Sequence, residues 1–160
     1  MQSDKFTALV RNAIGAAQSA ALAANHQKLT AEHVLAALLK DDNMTVKTLL
    51  AKAGADSASL SALLKAGLDK FPQVTGSGAG QLQLDADLAR IFAAVEAEAK
   101  ARHDQFIAVD LLLLAMTKST GSVGKILKKA GVEPAPLSAA IDEMRKGRTA
   151  DSDAAEDSYY

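Results

Sequence analysis

The feature that most constrains the fold of this chain is an internal repeat. When the sequence is shifted by 77 residues, positions 14–64 align with positions 91–141 without a gap, and 17 of the 51 pairs are identical. Eight of these pairs are alanines, but the others include His26 with His103 and Gly54 with Gly131. Such self-similarity predicts two copies of one structural unit that bury their apolar faces against each other.

Each copy has the apolar periodicity of four α-helices. Apolar residues recur three and four positions apart in 6–17 and again in 88–99, which predicts a long amphipathic helix at the start of each copy. The stretches 34–39 and 111–116 are apolar almost all round, as in a helix buried inside a bundle. Two shorter helices follow in each copy. We therefore predict an all-α fold of two pseudo-symmetric four-helix repeats packed into one globular domain.

Composition limits the classes of fold, partner and function that this chain can have. The chain is 49% hydrophobic, with only 4% aromatic residues and no Trp, which favours helices over sheets. It has no cysteine, which excludes disulfides and thiolate sites and suits a cytoplasmic protein. A net charge of −1, without a basic cluster, argues against nucleic acid as a partner. No apolar run approaches the roughly 20 residues that span a membrane.

The neighbouring residues Glu32 and His33 raise the question of a catalytic or metal site. In the 77-residue alignment they fall on Val109 and Asp110, so the recurring feature is an acid near the start of an apolar helix. An acid in the first turn complements the helix dipole. No third histidine or nucleophile lies at helical spacing to complete a site. We interpret the pair as structural and predict no catalytic residue and no metal ligand.

Two further features resemble ligand sites. His26 and His103 precede the loop into each apolar helix, and we interpret both as core or cap residues. A shared metal site is the remote alternative, because imidazole alone supplies too few ligands. Between the copies, Gly76, Gly78 and Gly80 could cradle a phosphate, but no Lys-Ser or Lys-Thr follows and no strand precedes them. We therefore predict a linker.

Several stretches together resemble one known family. The doubled unit, the joint PQVTGSG, the segment HDQFIAVDLLLLAM, the turn KILKKAGV and the ending EMRKGRTADSDAAEDSYY closely resemble the N-terminal domain, or Clp repeat domain, of ClpB-type AAA+ protein disaggregases. The resemblance covers Met1 to about Lys146 and the start of a linker. ClpA and ClpC, which feed a protease, share the repeat but are less similar in the joint and the ending.

The resemblance implies a domain organisation and a function. It places a Clp N-terminal domain over 1–146, with repeat 1 at about 6–71 and repeat 2 at about 83–146, and a polar linker over 147–160 towards an ATPase module absent from this chain. It implies a substrate-recognition and regulatory domain that binds unfolded or aggregated polypeptides in stress recovery, together with the DnaK chaperone system. The full-length protein would be a hexamer, and the isolated domain a monomer.

The chain itself has no Gly-x-x-x-x-Gly-Lys-Ser/Thr loop. We therefore expect it to bind no ATP and no other cofactor and to have no enzymatic activity, with ATP confined to the absent modules. An enzyme is also disfavoured because no Ser/His/Asp or paired-carboxylate spacing falls on one helix face. The alternative function is adaptor docking, as in the N-domains of protease-linked unfoldases of the ClpA or ClpC type.

The resemblance also implies a substrate groove, apolar and rimmed by polar residues. The positions that match its rim are Thr7, Asp104 and Asp110, and we add Phe92 and Leu111 as apolar candidates. Because rim positions carry little packing, we expect substitutions of the three polar residues to leave the melting temperature nearly unchanged.

Overall fold

The structure is a computed structural model that describes residues 3–40, 44–75 and 80–160. A short 3-10 helix (Ser3–Lys5) precedes repeat 1, which consists of α1 (Ala8–Ala23), α2 (Ala31–Lys40), α3 (Thr45–Lys52) and α4 (Ser57–Asp69). Repeat 2 consists of α5 (Ala86–Ala101), α6 (Val109–Thr117), α7 (Ser122–Lys129) and α8 (Pro134–Arg145), and a short α9 (Glu156–Tyr159) follows. The predicted all-α fold with two four-helix repeats is confirmed. Gly76 and Gly78 of the predicted linker lie outside the described residues.

Local sequence explains where several helices begin. Thr7, Asp56 and Asp85 each accept a hydrogen bond from a backbone N–H in the first turn of α1, α4 and α5. Such caps satisfy N–H groups that have no partner within the helix. Pro134 opens α8, where the missing N–H is not needed. The starts of α1, α4 and α5 thus coincide with side chains that cap them.

The centre of the core is α6. Every residue from Val109 to Met116 is buried, and α3, α5, α7 and α8 all pack against this helix. Its counterpart α2 packs on α1, α3 and α4, but Ala36, Ala37 and Leu39 are only partly buried. The apolar stretch 111–116 therefore predicted the most buried helix.

The separation between equivalent residues of the two repeats is one residue longer in their first two helices than in their last two. The starts of α1 and α5 are residues 8 and 86, and those of α2 and α6 are 31 and 109, a separation of 78 in both cases. The starts of α3 and α7 are residues 45 and 122, and those of α4 and α8 are 57 and 134, a separation of 77. The gapless alignment was therefore wrong by one residue for the first two helices of each repeat.

The corrected register changes the partners of the Glu-His pair. Glu32 is equivalent to Asp110, not to Val109, and both acids lie in the first turn of their helices. His33 is equivalent to Leu111, a fully buried core residue. What recurs is therefore an acid at the second helical position, where it faces the N-terminal end of the helix dipole.

The recurring histidines are also not equivalent. His103 has a left-handed backbone (φ 64°) just beyond α5, and its counterpart just beyond α1 is Asn25 (φ 59°). His26 is instead equivalent to Asp104. The predicted role at a helix end therefore holds for His103, while His26 lies half-buried in a different contact.

The short segments that precede the first two helices of each repeat pair with segments of the other repeat. The two-residue strand β2 (Gln83–Leu84), just before α5, pairs in parallel with β1 (Lys28–Leu29), just before α2. In the same way Phe6, just before α1, forms a parallel bridge with Ile107, just before α6. Each repeat thus supplies backbone partners to the other.

The C-terminal segment, residues 147–160, folds back onto the domain and does not extend away as the linker interpretation implied. Lys146 and Gly147 both have left-handed backbones (φ 51° and 82°), which reverse the chain after α8. The segment then forms a second small apolar cluster with residues before α6. Its members are Ala108, Ala150, Ala155 and Tyr159, with Phe106 and Tyr160 packed against them.

Candidate functional site

Three of the five predicted groove residues meet at one place. Thr7 lies at the start of α1, Asp110 in the first turn of α6, and Asp104 in the loop that precedes α6. Thr7 and Asp110 are 0% exposed, and so is the side chain of Asp104. The expectation that they form an exposed rim with little packing is therefore wrong for this structure.

Arg145 joins the two acids. Its Nε and Nη2 donate to the two carboxylate oxygens of Asp110 at 2.7 and 2.8 Å, and its Nη1 donates to both oxygens of Asp104 at 2.9 Å. Burial opposes the charge on the guanidinium, but the hydrogen bonds that Arg145 donates to Asp110, together with the negative charges of Asp110 and Asp104, raise the pKa of Arg145 above its usual range. Sequence reasoning missed this residue, because Arg145 belongs to a charged run at the end of the predicted domain, next to the predicted linker.

The C-terminal segment closes this site with a carboxylate. One oxygen of Glu156 accepts hydrogen bonds from the hydroxyl of Thr7 (2.7 Å) and from the backbone N–H of Val109 (2.9 Å). Burial raises the pKa of Glu156, and these two hydrogen bonds partly offset the rise. A single carboxylate therefore ties the start of α1 to the start of α6.

The backbone of the C-terminal segment also pairs with the domain. The carbonyl of Ala150 accepts from the N–H groups of Gln105 (2.9 Å) and Phe106 (3.0 Å). The carbonyl of Asp153 accepts from the N–H of Ala8 at 2.8 Å. Any residue can supply a backbone carbonyl, so these contacts do not depend on the side chains of Ala150 and Asp153.

Two tyrosines complete the contact. The ring of Tyr159 lies below two guanidinium groups, with Arg145 at 5.0 Å and Arg148 at 5.6 Å from its centroid. The hydroxyl of Tyr160 donates to Asp110 at 2.8 Å. The hydroxyl of Tyr159 is buried and has no hydrogen-bond partner within the described ranges, and burial raises its pKa.

The two apolar groove candidates lie deeper than the three polar ones. Leu111 is fully buried in α6, and its backbone N–H donates to the carboxylate of Asp110 at 2.7 Å. Phe92 is 8% exposed, and its ring lies 5.5 Å from that of Phe6. Both residues therefore pack behind the site and do not reach its surface.

The equivalent junction in repeat 1 is an open cavity. Its volume is about 370 Å³. In the corrected register Asp85 takes the place of Thr7, His26 that of Asp104, and Thr30 that of Ala108. The residues that line the cavity are His26, Gln27, Lys28, Thr30, Phe71, Pro72 and Asp85. The chain after α4 covers part of this junction, because Gln73 forms a bridge with His26 and both Phe71 and Pro72 border the cavity. In repeat 2 the longer C-terminal segment also fills the part that stays open in repeat 1.

His26 lies in the wall of the open cavity and contacts His33, which does not line it. The backbone N–H and the hydroxyl of Thr30 lie 3.1 and 2.8 Å from Nδ1 of His33. A backbone N–H can only donate, so Nδ1 is the acceptor and the proton of neutral His33 lies on Nε2, which reaches Nδ1 of His26 at 2.8 Å. Burial, and then the neighbouring His26, lower the pKa of His33 to about 4.

Two surveys of the described residues bear on other functions. Across 3–40, 44–75 and 80–160, no three His, Asp or Glu side chains come close enough together to hold a metal ion. Within the same ranges, none of the helices has the length and apolar character that a membrane crossing requires.

Solved structures with this fold support the architecture. The N-terminal domain of Hsp104 from Candida albicans superimposes with a TM-score of 0.82 at 22% identity, over 94% of this chain and 98% of that one. The N-terminal domain of the ClpV1 ATPase from E. coli superimposes with a TM-score of 0.71 at 20% identity, over 85% of this chain and 83% of that one. At these identities the likeness shows the fold alone.

Sequence comparison identifies the family. The chain is 42% identical over 160 residues to the chaperone protein ClpB of Rhizobium meliloti and to that of Rhodopseudomonas palustris, covering 99% of this chain and 18% of each relative. The family described as Clp repeat (R) N-terminal domain matches residues 5–130. The chain therefore belongs to the family of Clp repeat N-terminal domains, of the type carried by ClpB chaperones.

Proposed function

We propose that this chain is the substrate-recognition and regulatory domain of a ClpB-like, ATP-dependent disaggregase. It binds unfolded or aggregated polypeptides in the cytoplasm during stress recovery, and the full-length hexamer works with the DnaK system. Since the chain spans 18% of its ClpB relatives, ATP binding and hydrolysis belong to modules outside these residues, and this domain needs no cofactor.

One observation carries the proposal: the site at the start of α6 already holds a polypeptide. The C-terminal segment lies there through backbone hydrogen bonds from Gln105, Phe106 and Ala8. Backbone contacts of this kind suit a domain that must accept many different sequences. Side chains add affinity only where a ligand offers the matching group.

The predicted groove residues have distinct roles in this proposal. Thr7 donates to a carboxylate of the bound polypeptide, as it does to Glu156. Asp110 accepts from a hydroxyl, as it does from Tyr160, and Asp104 accepts from a backbone N–H, as it does from Ala150 at 3.0 Å. Phe92 and Leu111 support the wall of the site from within the core.

The test is a titration with one protein in two states. Fluorescein-labelled α-lactalbumin, reduced and carboxymethylated so that it stays unfolded, is titrated with the domain and followed by anisotropy, with native α-lactalbumin as the folded control. We expect a Kd of about micromolar or weaker for the unfolded form, because ordering a flexible ligand opposes binding. No binding of the native form is expected.

Substitution tests the location of the site. Asp104→Asn removes a carboxylate from the site, and Asp142→Asn removes one from an exposed ion pair with Arg102. We expect only Asp104→Asn to weaken binding of the unfolded protein, with the melting temperature of each variant measured alongside. Binding of neither form by the wild-type domain would overturn the proposal. One-to-one binding of a small folded partner, without binding of unfolded chains, would indicate adaptor docking instead.

A further inference from the structure

We propose that the C-terminal segment is a built-in competing ligand of this site, and that the site prefers polypeptides with a carboxylate followed three or four residues later by an aromatic side chain. This inference rests on the proposed function, because it names the class of polypeptide and the regulation of that same site. A polypeptide of this class binds in trans when it displaces residues 148–160.

The pseudo-symmetry of the fold indicates that the site is a cleft without the C-terminal segment. The equivalent junction in repeat 1 is a cavity of about 370 Å³. Its lining residues Asp85, Lys28 and Thr30 correspond to Thr7, Phe106 and Ala108 in the corrected register. All three of the latter contact the C-terminal segment. The chain after α4 borders this cavity through Phe71 and Pro72 and does not fill it, so the C-terminal segment occupies space that stays open in repeat 1.

The preference for a carboxylate follows from the donors that meet there. The hydroxyl of Thr7 and the N–H of Val109 converge on one oxygen of Glu156, which is 3% exposed. Both are donors. A neutral amide oxygen would accept weaker hydrogen bonds from them than a carboxylate does, and an apolar side chain would leave the two groups buried without acceptors. Such a loss costs more than the hydrogen bonds themselves contribute.

The preference for an aromatic residue follows from two cations. The guanidinium groups of Arg145 and Arg148 lie over the face of Tyr159, an arrangement in which the negative face of the ring attracts the charge. Tyr159 follows Glu156 by three residues and Tyr160 follows it by four. The acid and the aromatic rings are therefore presented by a single helical turn, α9.

The C-terminal segment fits the site imperfectly, which leaves it open to competition. The buried hydroxyl of Tyr159 has no hydrogen-bond partner among the described residues. Burying a hydroxyl without a partner opposes docking, and a phenylalanine in the same place would not incur this cost. Polypeptides that present phenylalanine are therefore able to compete with the segment.

The experiment supplies the segment in trans. A fluorescein-labelled peptide with the sequence of residues 148–160, RTADSDAAEDSYY, is titrated with the full chain and followed by anisotropy. The proteins compared are the wild type, Glu156→Gln to release the segment, Tyr159→Phe to hold it more firmly, and Asp157→Asn as the matched control. Asp157 is exposed and adjacent to Glu156, so its variant has the same change in charge.

Four results are expected. Glu156→Gln binds the peptide about tenfold more tightly than the wild type, because a released site no longer competes with its own segment and one charged hydrogen-bond acceptor is worth about that factor. Tyr159→Phe binds more weakly than the wild type, and Asp157→Asn binds like it. A peptide carrying the Glu156→Gln change loses about tenfold of its affinity for the released variant.

The proposal is overturned if Glu156→Gln binds the peptide no better than Asp157→Asn, or if the two peptides bind equally. Circular dichroism of each variant verifies folding, and Tyr159→Phe, which changes one atom, keeps the test decisive if Glu156→Gln is unstable. If Glu156→Gln forms a dimer that the peptide dissociates, the proposal is supported, because the segment of one molecule would then be bound to the site of another. If unfolded α-lactalbumin binds but the peptide does not, this inference fails and the proposed function stands.

Discussion

Asp104, Asp110 and Arg145 show how far a family resemblance carries at the scale of single residues. The resemblance assigned both acids to an exposed rim, whereas the structure brings them together with buried side chains. Their partner Arg145 lies 35 residues beyond Asp110 in the sequence, and no local pattern predicts such a contact. Because removing one acid leaves a buried guanidinium partly uncompensated, we no longer expect substitutions there to leave the melting temperature unchanged.

The residue-scale prediction concerns His33 and pH. The folded-state pKa of His33 is about 4, below the usual 6.5, so the unfolded chain takes up the proton first. Stability from neutral His33 is therefore present above pH 6.5 and is lost as the pH falls towards 4, by up to about 3 kcal/mol. Protonation would place a hydrogen on Nδ1, where it would meet the N–H of Thr30.

The measurement is urea unfolding between pH 4 and 8 of the wild type and His33→Asn. The oxygen of asparagine replaces Nδ1 as acceptor but does not titrate. Glu32 also titrates nearby, and burial raises its pKa, so its contribution runs the other way and is lost as the pH rises. The difference between the two proteins isolates His33. We expect the difference in free energy of unfolding to shift in favour of the variant below pH 6.5. If the free energies of both proteins changed in parallel with pH, the lowered pKa of His33 would be contradicted.

At the scale of elements, apolar spacing predicted the helices of the two repeats but not how they match. The helices were predictable because one face of each carries a continuous apolar stripe. The alignment was wrong by one residue in α1 and α2, because alanines align with alanines at either separation. The two-residue strands and the fold of the C-terminal segment left no periodicity to detect. A usable signal was that both tyrosines of the chain lie at positions 159 and 160.

The element-scale prediction compares two helical glycines. A Cβ at Gly124 in α7 would collide with the backbone carbonyl of Ser119, whereas a Cβ at Gly15 in α1 would meet nothing within 4 Å. We expect Gly124→Ala to destabilise the domain by about 1–3 kcal/mol, since backbone cannot move aside easily. Gly15→Ala should stabilise it by about 0.5–1 kcal/mol, because alanine loses less backbone entropy in a helix.

Chemical denaturation of both glycine variants provides the measurement, with each serving as the control for the other. The same substitution is made in a helix in both cases, so helix propensity alone would stabilise both. Stabilisation by Gly124→Ala would mean that α7 does not lie against the turn at Ser119 as described.

At the scale of the whole molecule, the crossed strands, in which backbone of one repeat pairs with backbone of the other, determine whether the repeats unfold together. Phe6 of repeat 1 pairs with Ile107 of repeat 2, and Leu84 at the entrance to repeat 2 pairs with Leu29 of repeat 1. In addition, α3 packs on α8, and α4 on α7. The sequence predicted a shared interface from the apolar stripes, whereas the exchange of strands depends on backbone hydrogen bonds that any residue could make.

The crossed arrangement predicts that the two repeats unfold as one unit. Four helices of roughly 65 residues make a marginal core when alone, and here each repeat would also lose the backbone partners that the other supplies. Scanning calorimetry should give one transition in which the calorimetric and van't Hoff enthalpies agree.

Hydrogen exchange supplies the decisive comparison. Leu35→Ala changes a helix that packs chiefly within repeat 1, and it should lower the free energy of unfolding by about 2–5 kcal/mol. If the repeats unfold as one unit, the protection of α6 in repeat 2 should fall by the same free energy. If α6 kept its wild-type protection while α2 lost it, the repeats would be separate folding units, and the crossed strands would join them without coupling them.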